Sequence, residues 1–118
     1  MGAKDWILIY ADRDIPETLR AAPPMDRAAA RAMVERLHPG RRPVPLADGT
    51  LSSQANPPDD IVYATCLPGV SILCTGEVAL DRPSGLDRRF LDEARGRAVH
   101  VHAMHSVVDY FAYAMWTP

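Results

Sequence analysis

The sequence predicts an α/β fold of the α+β kind: a single mixed β-sheet of about five to six strands with two main helices packed on it. Three observations predict it. Short apolar runs rich in β-branched and aromatic residues recur at 6–11, 61–67, 70–75 and 98–103, the pattern of buried strands. The segment 27–37 repeats its apolar residues at i, i+3, i+4 and i+7, one face of a helix. The elements come in the order β-α-β, then paired strands, then α-β-β, which suits one sheet covered by helices.

Trp6–Ala11 is the first strand, closed by Asp12-Arg13-Asp14. Ile15-Pro16-Glu17 opens a short helix through Leu19, with Pro16 in the first turn, where a missing N–H costs nothing. Pro23-Pro24 stops the chain, and Asp26 is the N-cap of a helix over Arg27–Leu37. Ala30, Met33, Val34 and Leu37 form its inner face. Arg31 and Glu35 pair on the outer face for a few tenths of a kcal/mol. His38-Pro39-Gly40 ends the helix.

Arg42–Leu46 is at most an edge strand, because Pro43 and Pro45 cannot donate to a ladder. Residues 47–58 read as a loop with a helical turn near Leu51. Ile61–Leu67 and Val70–Thr75 flank Pro68-Gly69, as a strand pair or as one strand with a sharp break. Ser84 and Asp87 spell a capping box for a helix that buries Leu86, Phe90, Leu91 and Ala94 and stops at Gly96. Ala98–Ala103 alternates as a strand. Residues 103–115 fit helical spacing, yet Tyr110–Trp116 also fits a strand apolar on both faces, and its aromatic content selects the strand. No repeat or linker interrupts the chain, so residues 1–118 form one domain.

Charge narrows the function classes. The 118 residues carry a net charge of −2, so no basic surplus exists to neutralise phosphates, and nucleic acid is excluded as the main partner. Arg82, Arg88 and Arg89 alternate with Asp81, Asp87 and Asp92, a mixed solvated surface. The apolar run from Trp6 to Ala11 is closed by Asp12, too short for a secretory signal. Gly2 lacks the Ser or Thr at position 6 of a myristoylation motif, and no run approaches the ~20 apolar residues of a membrane span. A cytoplasmic protein without membrane association is expected, in which Cys66 and Cys74 stay reduced and pack as small apolar residues.

Several stretches together resemble a known family. MGAK at the start, YAD at 10–12, NPP at 56–58, CLPGV at 66–70, ALDRPS at 79–84 and HAMHSVVDYFAYAMW at 102–116 are similar to those of an uncharacterised family of unknown function from high-GC bacterial genomes. The resemblance spans the chain and implies a bacterial or phage source, but no activity or cofactor. It also implies that relatives continue past the last aromatic strand with a turn and another strand, so that this chain is short at its C-terminus.

The chemistry-bearing stretch is HVHAMHSVVDY at 100–110. On a strand His100 and His102 point to one face and can chelate one ion, zinc being the metal that suits them. His105 joins them only if the strand ends or bends near Met104, and Asp109 is then a third ligand or the group that orients a ring N–H. Cys66 and Cys74 across the Pro68-Gly69 turn, with His102, are a further combination. Asp12 follows the first strand at the end where ligands gather in α/β sheets and is a binding candidate with His102 or His105. The bland alternatives are sheet histidines bonded to backbone, core cysteines and a turn aspartate. No G-x-S-x-G elbow, P-loop or G-x-G-x-x-G is present, and Ser71, Ser84 and Ser106 lack an activating context.

Two readings compete. The first is a non-enzymatic binding or interaction module without cofactor, which self-associates as a homodimer or docks a protein partner through the aromatic C-terminal strand, with Tyr110, Tyr113 and Trp116 as contact residues. The second is a small hydrolase-like enzyme, metal-assisted or acid–base, using His102, His105 and Asp109 as catalytic residues, with Asp12 and Cys66 nearby. The missing catalytic motifs favour the first.

Overall fold

The computed structural model describes residues 4–44, 61–78, 86–105 and 110–117. Strand β1 (Lys4–Ala11) lies in the middle of the sheet. Helices α1 (Ile15–Ala21) and α2 (Arg27–Leu37) follow, then β2 (Tyr63–Leu67), β3 (Val70–Cys74), a 3₁₀ turn (Gly76–Val78), α3 (Arg88–Asp92), β4 (Ala98–His105) and β5 (Tyr110–Trp116). The sheet order is β2-β3-β1-β4-β5.

The α+β class and the single sheet with helices packed on it stand as expected, with five strands. Every pairing is antiparallel rather than mixed. The β-α-β order had suggested a parallel neighbour for β1, and β2 does run in the same direction as β1. The hairpin at Pro68-Gly69 then folds β3 back between them, so the two parallel strands never touch. Of the two sequence alternatives for this segment, the strand pair is the one found.

Each face of the sheet has its own core. Trp6, Leu8 and Tyr10 of β1 join Leu73, Val99 and Val101 under Met33 and Leu37 of α2 and Phe90 of α3. The opposite face packs Ala11, Val70, Ile72 and Cys74, with Ile7, Ile9, Ile15 and Tyr63 against them. A central strand buried on both sides has no need to alternate, which is why WILIYA reads as a continuous apolar run.

The helix signals were local and most held. Asp26 caps α2 by accepting from Ala29 N–H at 2.9 Å, and Ala30, Met33 and Leu37 are buried as the spacing requires. Asp14 caps α1, accepting from Glu17 N–H at 2.9 Å, and α1 buries none of its residues. In α3 the cap is Asp87 itself, which accepts from Arg89 N–H at 3.0 Å; Ser84 lies outside the described residues. The helix ends at Asp92 rather than continuing to Gly96, because the chain turns through positive φ at Arg95 and Gly96. Residues 42–44 are not in a strand; residues 45–46 and the expected loop at 47–58 lie outside the described residues. Among those described, no helix is long and apolar enough to cross a membrane.

Candidate functional site

The histidines sit in the interior of the sheet. His100 pairs with Ile9 and Met115, His102 with Ile7 and Tyr113, and His105 with Lys4 and Tyr110. His100 and His102 share one face, as the i, i+2 spacing requires, and both are half-buried on the side away from Met33 and Phe90. Strand β4 continues without a break through Met104 to His105; Ser106 and Asp109 lie outside the described residues. Among the described residues no group of three or more His, Cys, Asp or Glu is placed to hold a metal ion.

The register does not bring Asp12 to the histidines. Asp12 follows Ala11, which pairs with Ala98, whereas His102 pairs with Ile7 and His105 with Lys4. At ~3.4 Å per residue Asp12 lies roughly 17 Å along the sheet from His102 and roughly 27 Å from His105. Instead its N–H donates to the Gly69 carbonyl at 3.0 Å, docking the β2–β3 turn on the end of β1.

Nor do the two thiols meet. Cys66 pairs with Ser71, while Cys74 pairs with Tyr63 and Ile7. They occupy opposite faces: Cys74 is buried in the Ile72 cluster, and half-buried Cys66 borders the helix-side core. The Cys-Cys-His combination is therefore not assembled.

A different group of residues is brought together on the helix side. Helix α2, the β2–β3 turn and the turn from α3 into β4 line an open cleft of about 480 Å³. The Asp26 N–H donates to the Cys66 carbonyl at 2.8 Å and ties α2 to the end of β2. Arg36 reaches from α2 to Glu93, its Nε at 3.1 and 3.0 Å from the two carboxylate oxygens and one Nη at 2.5 Å. Glu93 is only 5% exposed, so this pair neutralises a buried carboxylate. The Glu93 hydrogen bonds hold Arg36 more firmly ionised than a free guanidinium, against burial, with the charge of Glu93 adding to the effect.

Arg97 is held differently. Its Nε donates to the Ala94 carbonyl at 2.8 Å and its two Nη to Ser71 Oγ at 3.1 Å and the Glu93 carbonyl at 2.9 Å. The guanidinium carbon lies 4.9 Å from the centroid of the Tyr10 ring, a cation–π contact. The Ser71 hydroxyl in turn donates to Cys66 Sγ at 3.5 Å. Arg95 also lines this cleft, at a positive φ of 51°.

A second polar cluster closes the end of α2. His38 Nδ1 is 2.9 Å from the Val34 carbonyl, and its Nε2 is 2.5 Å from Glu77. Glu77 also accepts from Arg89 and from Thr75 Oγ1. Sequence reading missed Arg36, Glu93, Arg95, Arg97 and His38. EARGR at 93–97 reads as a charged helix end, and nothing local links it to a residue 57 positions earlier.

The aromatic tail is a strand, as its composition indicated, and forms one edge of the sheet. Trp116 pairs with Val99 and packs against the helix-side core, whereas Met115 is 52% exposed.

No curated protein and no solved structure matches the chain significantly. Residues 5–118 match DUF6928, a family of unknown function, and the chain belongs to that family.

Proposed function

We propose that the protein is a non-enzymatic interaction module that pairs with a second copy of itself through the outer edge of β5. The observation that carries this reading is the pattern of YFAYAMW on an edge strand. The strand contains no charged residue, proline or glycine, the devices by which edge strands normally avoid association. Its sequence is also symmetric by size about Tyr113. In an antiparallel pair related by a two-fold axis at Tyr113, Tyr110 stands opposite Trp116, Phe111 opposite Met115, and Ala112 opposite Ala114. A two-fold interface demands such self-complementarity, and like-sized cross-strand pairs satisfy it.

Light scattering after size exclusion, over a concentration series, tests this. The wild-type chain is a dimer at micromolar concentration. Tyr113→Lys and Tyr113→Glu, each placing like charges opposite one another at the axis, are monomers when separate and recover a dimer when mixed. A wild-type chain that stays monomeric at high micromolar concentration, or variants that associate as wild type does, refutes the pairing.

A further inference from the structure

We infer that the cleft between α2, the β2–β3 turn and the α3–β4 turn binds a small organic oxyanion, a carboxylate or a phosphate monoester, whose anionic group is met by Arg95 and Arg97. The volume of about 480 Å³ falls within the range of small-ligand sites. Met33, Leu67 and Pro68 supply an apolar wall for the body of such a molecule.

The charges favour an anion at one end of the cleft. Three arginines line it against two carboxylates, Asp26 and Glu93. Glu93 is taken up by Arg36, and Asp26 by the first turn of α2. Arg97 has no carboxylate within ion-pairing distance among the described residues; its bonds go to two carbonyls and a hydroxyl. Those neutral acceptors and the Tyr10 ring fix its planar fork without cancelling its charge, and N–H groups remain for a ligand.

Arg95 supplies the second, independent observation. Its φ of 51° lies in the left-handed region, which side chains bearing a Cβ rarely adopt and Gly adopts readily. A glycine here would serve the turn better. Arg95 is exposed and, among the described residues, makes no hydrogen bond or ion pair, yet it is one of the residues that line the cleft. Two arginines lining one cleft, Arg97 pre-oriented by neutral acceptors and Arg95 without a partner among the described residues, supply the donors an oxyanion needs.

The test is a titration of the isotopically labelled full chain with sodium phosphate and, separately, sodium benzoate, at ionic strength held constant with sodium chloride. Saturable shifts are expected at the amides of Cys66, Ser71, Arg95 and Arg97 with at least one of the two anions; the stronger identifies phosphate or carboxylate as the group recognised. Arg95→Gly folds at least as stably as wild type, because it relieves the positive φ, and binds the same anion about tenfold more weakly. Arg95→Lys keeps most of the affinity. Shifts that fail to saturate with either anion, or an Arg95→Gly chain that binds as tightly as wild type, overturn the proposal.

Discussion

The hydroxyl of Tyr10 donates to the main-chain carbonyl of Phe90 at 2.6 Å, joining the central strand to α3 across 80 positions of sequence. Tyr10 is fully buried. Tyr10→Phe keeps the ring and removes the donor, leaving that carbonyl unsatisfied. A loss of about 1–2 kcal/mol is expected in urea unfolding at neutral pH.

The same phenol makes stability depend on alkaline pH. Burial, then the charge of Glu93, raises its pKa above the ordinary tyrosine value, with Arg97 opposing. In the unfolded chain the phenol ionises near pH ~10. A group whose folded pKa lies above its unfolded value contributes stability that is complete below the unfolded pKa and is lost as pH climbs through the folded one. Wild type therefore loses stability above pH ~10 faster than Tyr10→Phe, and the deficit of the variant shrinks there. Parallel urea midpoints for the two proteins in that range contradict this.

Arg36 and Glu93 are unequal partners. Glu93 is 5% exposed and Arg36 39%. Arg36→Ala strands a carboxylate in the interior and is expected to cost about 3 kcal/mol. Glu93→Gln leaves a guanidinium that reaches water and an amide that still accepts, for a loss of roughly 1 kcal/mol. Denaturant midpoints check the ordering, and an Arg36→Ala chain no less stable than Glu93→Gln contradicts it.

Gly69 makes the β2–β3 turn possible. Its φ is +77°, and a Cβ there would stand 2.6 Å from Asp12 Oδ1 and from the Arg13 side chain. Gly69→Ala is expected to cost about 2 kcal/mol, combining strain and overlap. At Gly40 the φ is +83° with nothing within 4 Å of a Cβ, so Gly40→Ala pays strain alone, roughly 1 kcal/mol. Thermal melts of the two variants separate these contributions.

The local elements were legible because their causes are local. The cap Asp26, the helix-breaking pair Pro23-Pro24 and the face Ala30-Met33-Leu37 act within a few residues of themselves. The histidine pair on one face of β4 followed from strand alternation alone. The helix after Ser84 was overextended because Gly96 looked like its stop, while regular helix ends at Asp92 and the chain turns through positive φ at Arg95 and Gly96.

The chain alone specified the strands at 6–11, 70–74 and 98–103 and the helix over 27–37, since period, capping and turn chemistry are written in neighbouring residues. Folding alone selected the insertion of β3 between β1 and β2, the separation of Cys66 from Cys74, the pairing of Arg36 with Glu93 and the stacking of Arg97 on Tyr10. A strand apolar on both faces accepts many partners on either edge, and a surface arginine suits any carboxylate. Which of them meet depends on the simultaneous packing of the whole sheet.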